Sequence, residues 1–153
     1  MTARLVFVVV SAALVTAPAC ASSDILDRLR TGDVRVAVSL SEIDPGALAA
    51  VKRAFSYDHR MADRDAPFNA ADVRSGGHPP SRRLVLAAAS GDAWFIHYEH
   101  GGRGLHSHLV TVVRSGQSWR IVHTATTFRS YDTLSKLRAA IRAGQFGEAT
   151  GEL

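Results

Sequence analysis

The stretch WFIHYEHGGRGLHSHLVTVVRSGQSWRIVHTATTF, Trp94 to Phe128, carries five of the chain's seven histidines. Its aromatic and β-branched runs are interrupted by Gly101-Gly102-Arg103-Gly104 and by Ser115-Gly116, which predicts three consecutive antiparallel strands. A tight turn centred on Gly102-Arg103 pairs His100 with Leu105, Glu99 with His106, Tyr98 with Ser107 and His97 with His108. A second turn at Ser115-Gly116 pairs Val112 with Trp119, Val110 with Ile121 and His108 with His123.

Side chains alternate between the faces of a strand, so this register puts His97, Glu99, His106, His108 and His123 on one side with Phe95, Val110, Val112, Trp119 and Ile121. The other side carries Trp94, Ile96, Tyr98, Leu109, Val113 and Val122 beside Thr111, Arg120 and Thr124. Both faces are mixed, and pattern alone does not say which is buried. A slip of one residue in either turn would carry a whole strand's side chains to the opposite face.

Outward from this core, Arg82 to Ala89 (RRLVLAAA) reads as a strand that turns through Ser90-Gly91-Asp92 into Ala93, making a four-stranded meander. Val34 to Leu40 (VRVAVSL) alternates apolar and polar residues and predicts an N-terminal strand with one buried face. Asp24 can cap a short helical turn ending at Gly32. Asp44-Pro45 predicts a helix start, with Leu48, Val51 and Phe55 on one stripe. Asp132 can cap a last helix bearing Leu134, Leu137 and Ile141, stopped at Gly144.

Between them, residues 56–81 lose apolar periodicity and form a long loop, with Phe68 and Val73 expected to pin part of it and His59 and His78 expected to be exposed. The expected class is α+β: a curved antiparallel sheet, the C-terminal meander plus the N-terminal strand, with the two main helices packed on one face. Cystatin-like and NTF2-like folds are similar in outline. That resemblance is one of architecture and carries no functional residue across.

Met1 to Ala21 has Arg4, an apolar run from Leu5 to Val15 and small residues through Ala17-Pro18-Ala19-Cys20-Ala21. The run is shorter than the roughly 20 residues a bilayer span needs, and it predicts an export signal ahead of a single domain over 22–153. Ala17-Pro18-Ala19-Cys20 resembles a bacterial lipobox, although Ala17 stands where Leu or Val is usual. It implies lipidation of Cys20, a membrane tether and a periplasmic or envelope location. Ala19-Cys20-Ala21 equally fits ordinary signal cleavage, which removes Cys20.

With one cysteine, the mature chain has no disulfide to hold it and must rely on burial. At 46% hydrophobic and 21% charged, the full sequence has the composition of a folded chain. The net charge of +4 comes almost wholly from arginines scattered along the chain, without the basic stripe and interleaved aromatics of a nucleic-acid binder.

The chemistry-bearing residues are the histidines. In the expected register His106 and His108 stand about 7 Å apart on one face, with His97 and His123 about 5 Å away on neighbouring strands. Such a set suits zinc or another divalent transition metal, with Glu99 as a ligand, an orienting group or a base. Two other readings remain open: a hydrated polar face, and a metal-free acid/base pair of Glu99 and His106. Gly101-Gly102-Arg103-Gly104 precedes a strand, so it is a turn and not a phosphate loop.

Two functions follow as expectations. The first is an exported, non-enzymatic envelope domain that binds a small ligand or a protein partner on its sheet. The second is a metal-dependent, zinc-type hydrolase using the histidine face.

Overall fold

The computed structural model describes residues 21–71, 77–149 and Leu153. Cys20 and Val73, and with them the expected export segment up to Cys20, lie outside the described residues. The elements in order are α1 (Ala21–Thr31), β1 (Arg35–Ala37), α2 (Pro45–Arg53), β2 (Arg82–Ser90), β3 (Ala93–His100), β4 (His106–Ser115), β5 (Ser118–Thr127), α3 (Leu134–Arg142) and β6 (Gly147–Glu148). The six strands form one open antiparallel sheet in the order β1-β2-β3-β4-β5-β6. The α+β class and the meander are therefore present, with β6 as an added edge.

Local chemistry explains the element ends. The Asp44 carboxylate accepts from the amides of Gly46 and Ala47 at 2.8 and 3.2 Å, and Pro45 opens α2 without an orphaned N–H. At the end of α3, Gly144 takes φ +63, while Gly144 N–H and Gln145 N–H donate to Ile141 and Ala140 carbonyls, a Schellman stop. The start of α3 differs from expectation. Thr133, not Asp132, is the cap, its hydroxyl accepting from Lys136 N–H at 3.3 Å, and Asp132 instead pairs with Lys136 Nζ at 2.8 Å.

The two main helices do not share a face. Val51, Ala47 and Ala50 of α2, followed by Phe55, pack with Trp94, Ile96, Tyr98, Val110 and Val112. On the opposite side, Ile25 and Leu29 of α1 and Leu137, Ala140 and Ile141 of α3 pack with Leu86, Phe95 and Leu109. Every residue of β3 is buried, and because its side chains point alternately up and down, a single helical layer could shield only half of them. Each large aliphatic or aromatic side chain so buried contributes roughly 1.5–3 kcal/mol.

β1 is also shorter than expected. Its buried residue is Ala37, whereas Val36 and Val38 are 41% and 44% exposed, so the strand turns its small side chain inward.

Register is where sequence and structure part. The β3–β4 pairing is His97↔Leu109, Tyr98↔His108, Glu99↔Ser107 and His100↔His106, one residue away from the tight-turn expectation. Gly101 donates to the Ser81 carbonyl at 2.9 Å, and Gly102 bridges to Ala71 of the long loop. The glycines are thus recruited by that loop, and Leu105 joins the connection, 47% exposed. A Cβ on Gly101 would collide with the Asn69 carbonyl and the Ala70 backbone. Between β4 and β5 the turn is Gly116-Gln117, with Ser115 opposite Ser118, and a bulge at Val122 shifts the pairing again, to Thr111↔His123 and His108↔Thr126.

Candidate metal centre

The slip redistributes the histidines between the faces. His100, His106 and His108 come together on the α2 side, beyond the end of the apolar cluster, beside Tyr98. His97 and Glu99, alternating with them on β3, lie on the other side, as does His123 opposite Thr111. The expected set of His97, His106, His108 and His123 is therefore not assembled. His106 and His108 keep their place, and His100 replaces the other two.

His97 is fully used by the fold. Its Nδ1–H donates to the His108 carbonyl at 2.9 Å, and its Nε2 accepts from Tyr131 N–H at 3.1 Å. That pair of bonds requires a neutral ring. Burial pushes its pKa from the ordinary 6.5 down to about 4, against the opposing pull of the His108 carbonyl and Glu99. Glu99 is held by Arg83, whose Nε and Nη2 both reach Oε2, at 3.0 and 2.7 Å. His123 is half-buried beside Glu148, with burial and then Arg30 lowering its pKa.

The three clustered imidazoles each offer a ring nitrogen, and these nitrogens lie within 4.8 Å of one another. Ring centroids are 4.8 Å apart for His106 and His108, 5.0 Å for His100 and His106, and 5.5 Å for His100 and His108. His106 donates from Nδ1 to the Gly104 carbonyl at 2.9 Å, which leaves its Nε2 lone pair available. His100 Nε2 meets the Tyr57 hydroxyl at 3.2 Å.

His108 is the anomaly. It is 1% exposed, and among the described residues neither ring nitrogen has a hydrogen-bond partner. The Tyr98 ring stacks on it at 5.0 Å and 15° without meeting that need. Leaving buried polar atoms unmet costs about 1–3 kcal/mol each, so such a group points to a ligand, ion or water. Burial first, then the neighbouring imidazoles and Arg82, press its pKa down to about 3, which keeps the lone pair free for coordination.

Arg82 stands opposite His100 in the β2–β3 ladder. Fully buried, it lies 4.1 Å over the Phe55 ring and 5.2 Å from that of Tyr57, donating to the carbonyls of Asp58 at 3.0 Å and of Leu153. Outward, the three histidines line an open groove of about 1520 Å³, whose far wall comes from the long loop and from Phe128 and Arg129 after β5. His78 lines it too, so this loop histidine belongs to the groove wall.

His100 is the residue that the sequence reading missed. Its signal was present as a third histidine that shares the alternation of His106 and His108 once Leu105 is assigned to the connection. Comparison with known proteins finds no family model, curated protein or solved structure that matches this chain. Among the described residues no helix is long and apolar enough to cross a membrane.

Proposed function

We propose that this chain is a ligand-binding domain whose groove is built on a divalent transition-metal ion, zinc being the best fit, held by His100, His106 and His108. The observation that carries the reading is His108, a buried, neutral imidazole with both nitrogens unmet beside two further imidazoles. Tetrahedral zinc at about 2.0–2.1 Å from each nitrogen sets them roughly 3.4 Å apart. The three nitrogens lie within 4.8 Å of one another, so reaching that spacing closes them by about 1.4 Å at most. The remaining coordination position faces the groove and can take a Lewis-basic group of a ligand.

Binding is favoured over hydrolysis because the carboxylate expected to act as base, Glu99, is on the opposite face and tied to Arg83. A zinc-type hydrolase is the second reading. It has in its favour the open coordination position, since a zinc ion held by three imidazoles can bring bound water to a pKa of about 7. Assays of zinc-loaded protein on ester and phosphoester substrates separate the two: turnover abolished by His106→Ala supports the hydrolase, and its absence supports binding. The export segment Met1 to Ala21 supports an envelope setting for this binding role. Mass spectrometry of the mature N-terminus tests it, with an acylated Cys20 as the lipoprotein outcome.

A further inference from the structure

The wall of the groove says what kind of molecule it suits. Arg60, Arg103 and Arg129 line it against a single acidic residue, Asp58, among the described lining residues. Arg60 is already matched, its Nε and Nη2 reaching the two Asp58 oxygens at 2.7 and 3.2 Å. Among the described residues the guanidinium groups of Arg103 and Arg129 have no carboxylate partner and no side-chain hydrogen bond. Among the described residues the groove lining therefore carries a net positive charge, and low-dielectric walls focus such a field on an incoming anion.

Beside these cations stands one exposed aromatic ring. Phe128, 90% exposed, lies next to Arg129 and lines the groove with Tyr57 and Tyr131. A phenyl ring held in water at the lip of a cavity forgoes about 1.5–3 kcal/mol of burial. The volume of about 1520 Å³ exceeds what a bare inorganic anion requires, since organic ligands of drug size occupy roughly 300–1,000 Å³.

We infer that the ligand of this groove is an organic anion with an apolar body, a carboxylate or phosphonate-type headgroup reaching Arg103 and Arg129 and an aromatic or aliphatic tail lying on Phe128. The inference rests on the binding reading above and specifies its ligand class. In the metal-loaded protein the same headgroup has the open coordination position within the groove. Arginine suits this headgroup because its planar fork donates two parallel hydrogen bonds to an oxyanion.

The test is calorimetric titration of the full chain with phenylphosphonate, with and without one equivalent of zinc. Methylphosphonate keeps the charge and drops the body; benzyl alcohol keeps the body and drops the charge. Phenylphosphonate is expected to bind at least tenfold more tightly than either control. The double variant Arg103→Gln/Arg129→Gln should lose about tenfold of that affinity, and Phe128→Ala about fivefold. All three positions are exposed, so these variants should fold normally.

Zinc binding without preference for phenylphosphonate over the controls would overturn this inference and leave the metal reading intact. Arginine-dependent phenylphosphonate binding to a protein that takes no zinc would do the reverse. Methylphosphonate binding as tightly as phenylphosphonate, or full affinity in the double arginine variant, would also overturn it.

Discussion

His97 donates its Nδ1 proton to the main-chain carbonyl of His108, 2.9 Å away, so one histidine supports the strand that presents the other. The two sit at adjacent ladder positions yet on opposite faces: His97 braces Tyr131 and the α3 side, and His108 faces the groove. Replacing His97 with Ala removes two buried hydrogen bonds and leaves a cavity, for a loss of roughly 3 kcal/mol. Urea denaturation should show that loss, while zinc stoichiometry of the folded variant stays unchanged. Loss of zinc from a folded His97→Ala protein would mean either that His97 ligates the ion or that its bond to the His108 carbonyl is needed to position His108.

The same burial makes stability depend on pH with a definite sign. Native His97 takes up its proton near pH 4, against 6.5 for an exposed ring, so between those values the unfolded chain binds a proton that the native one refuses. Stability is full above about pH 6.5, falls as the pH drops through this window, and levels off for this residue below about 4. His108, near 3, adds in the same direction. Metal-free protein should lose on the order of 2 kcal/mol from His97 alone between pH 7 and pH 5, read as a shift in the urea midpoint. A midpoint constant over that range would show that the rings are not buried neutral.

Gly101 ties the long loop to the sheet. Gly101→Ala should cost about 1–3 kcal/mol through the clash with the Asn69–Ala70 backbone. It should also speed limited proteolysis within residues 56–81. Cleavage at the wild-type rate would show that the loop is not held there.

At the start of α3, Thr133→Ala should lower stability by about 1 kcal/mol, because its hydroxyl caps Lys136 N–H. Asp132→Asn, which touches only an exposed ion pair, should leave thermal melting unchanged. The opposite ranking would restore Asp132 as the cap.

What was legible from sequence was local. Asp44-Pro45, Gly144 and the apolar alternation of β2 to β5 act through their own neighbours, and the α+β meander follows from them. The helix layers were not legible, because both faces of β3 are apolar and either could have been the covered one. The site was half legible: His106 and His108 share a face by alternation alone. His100 was hidden by the β3–β4 register, which is set by nonlocal contacts, Gly101 to Ser81 and Gly102 to Ala71, while the bulge at Val122 separately turned His123 away. One added residue in the β3–β4 connection was enough to exchange His97 and Glu99 for His100.

The claim that three imidazoles form a metal centre is tested most directly by calorimetric zinc titration of tag-free protein, wild type beside His106→Ala and His123→Ala. His106 is only half-buried, so its truncation should spare the fold. One zinc per chain is predicted for the wild type and for His123→Ala, with at least 100-fold weaker binding in His106→Ala. No stoichiometric zinc in the wild type, or undiminished affinity in His106→Ala, would contradict the account.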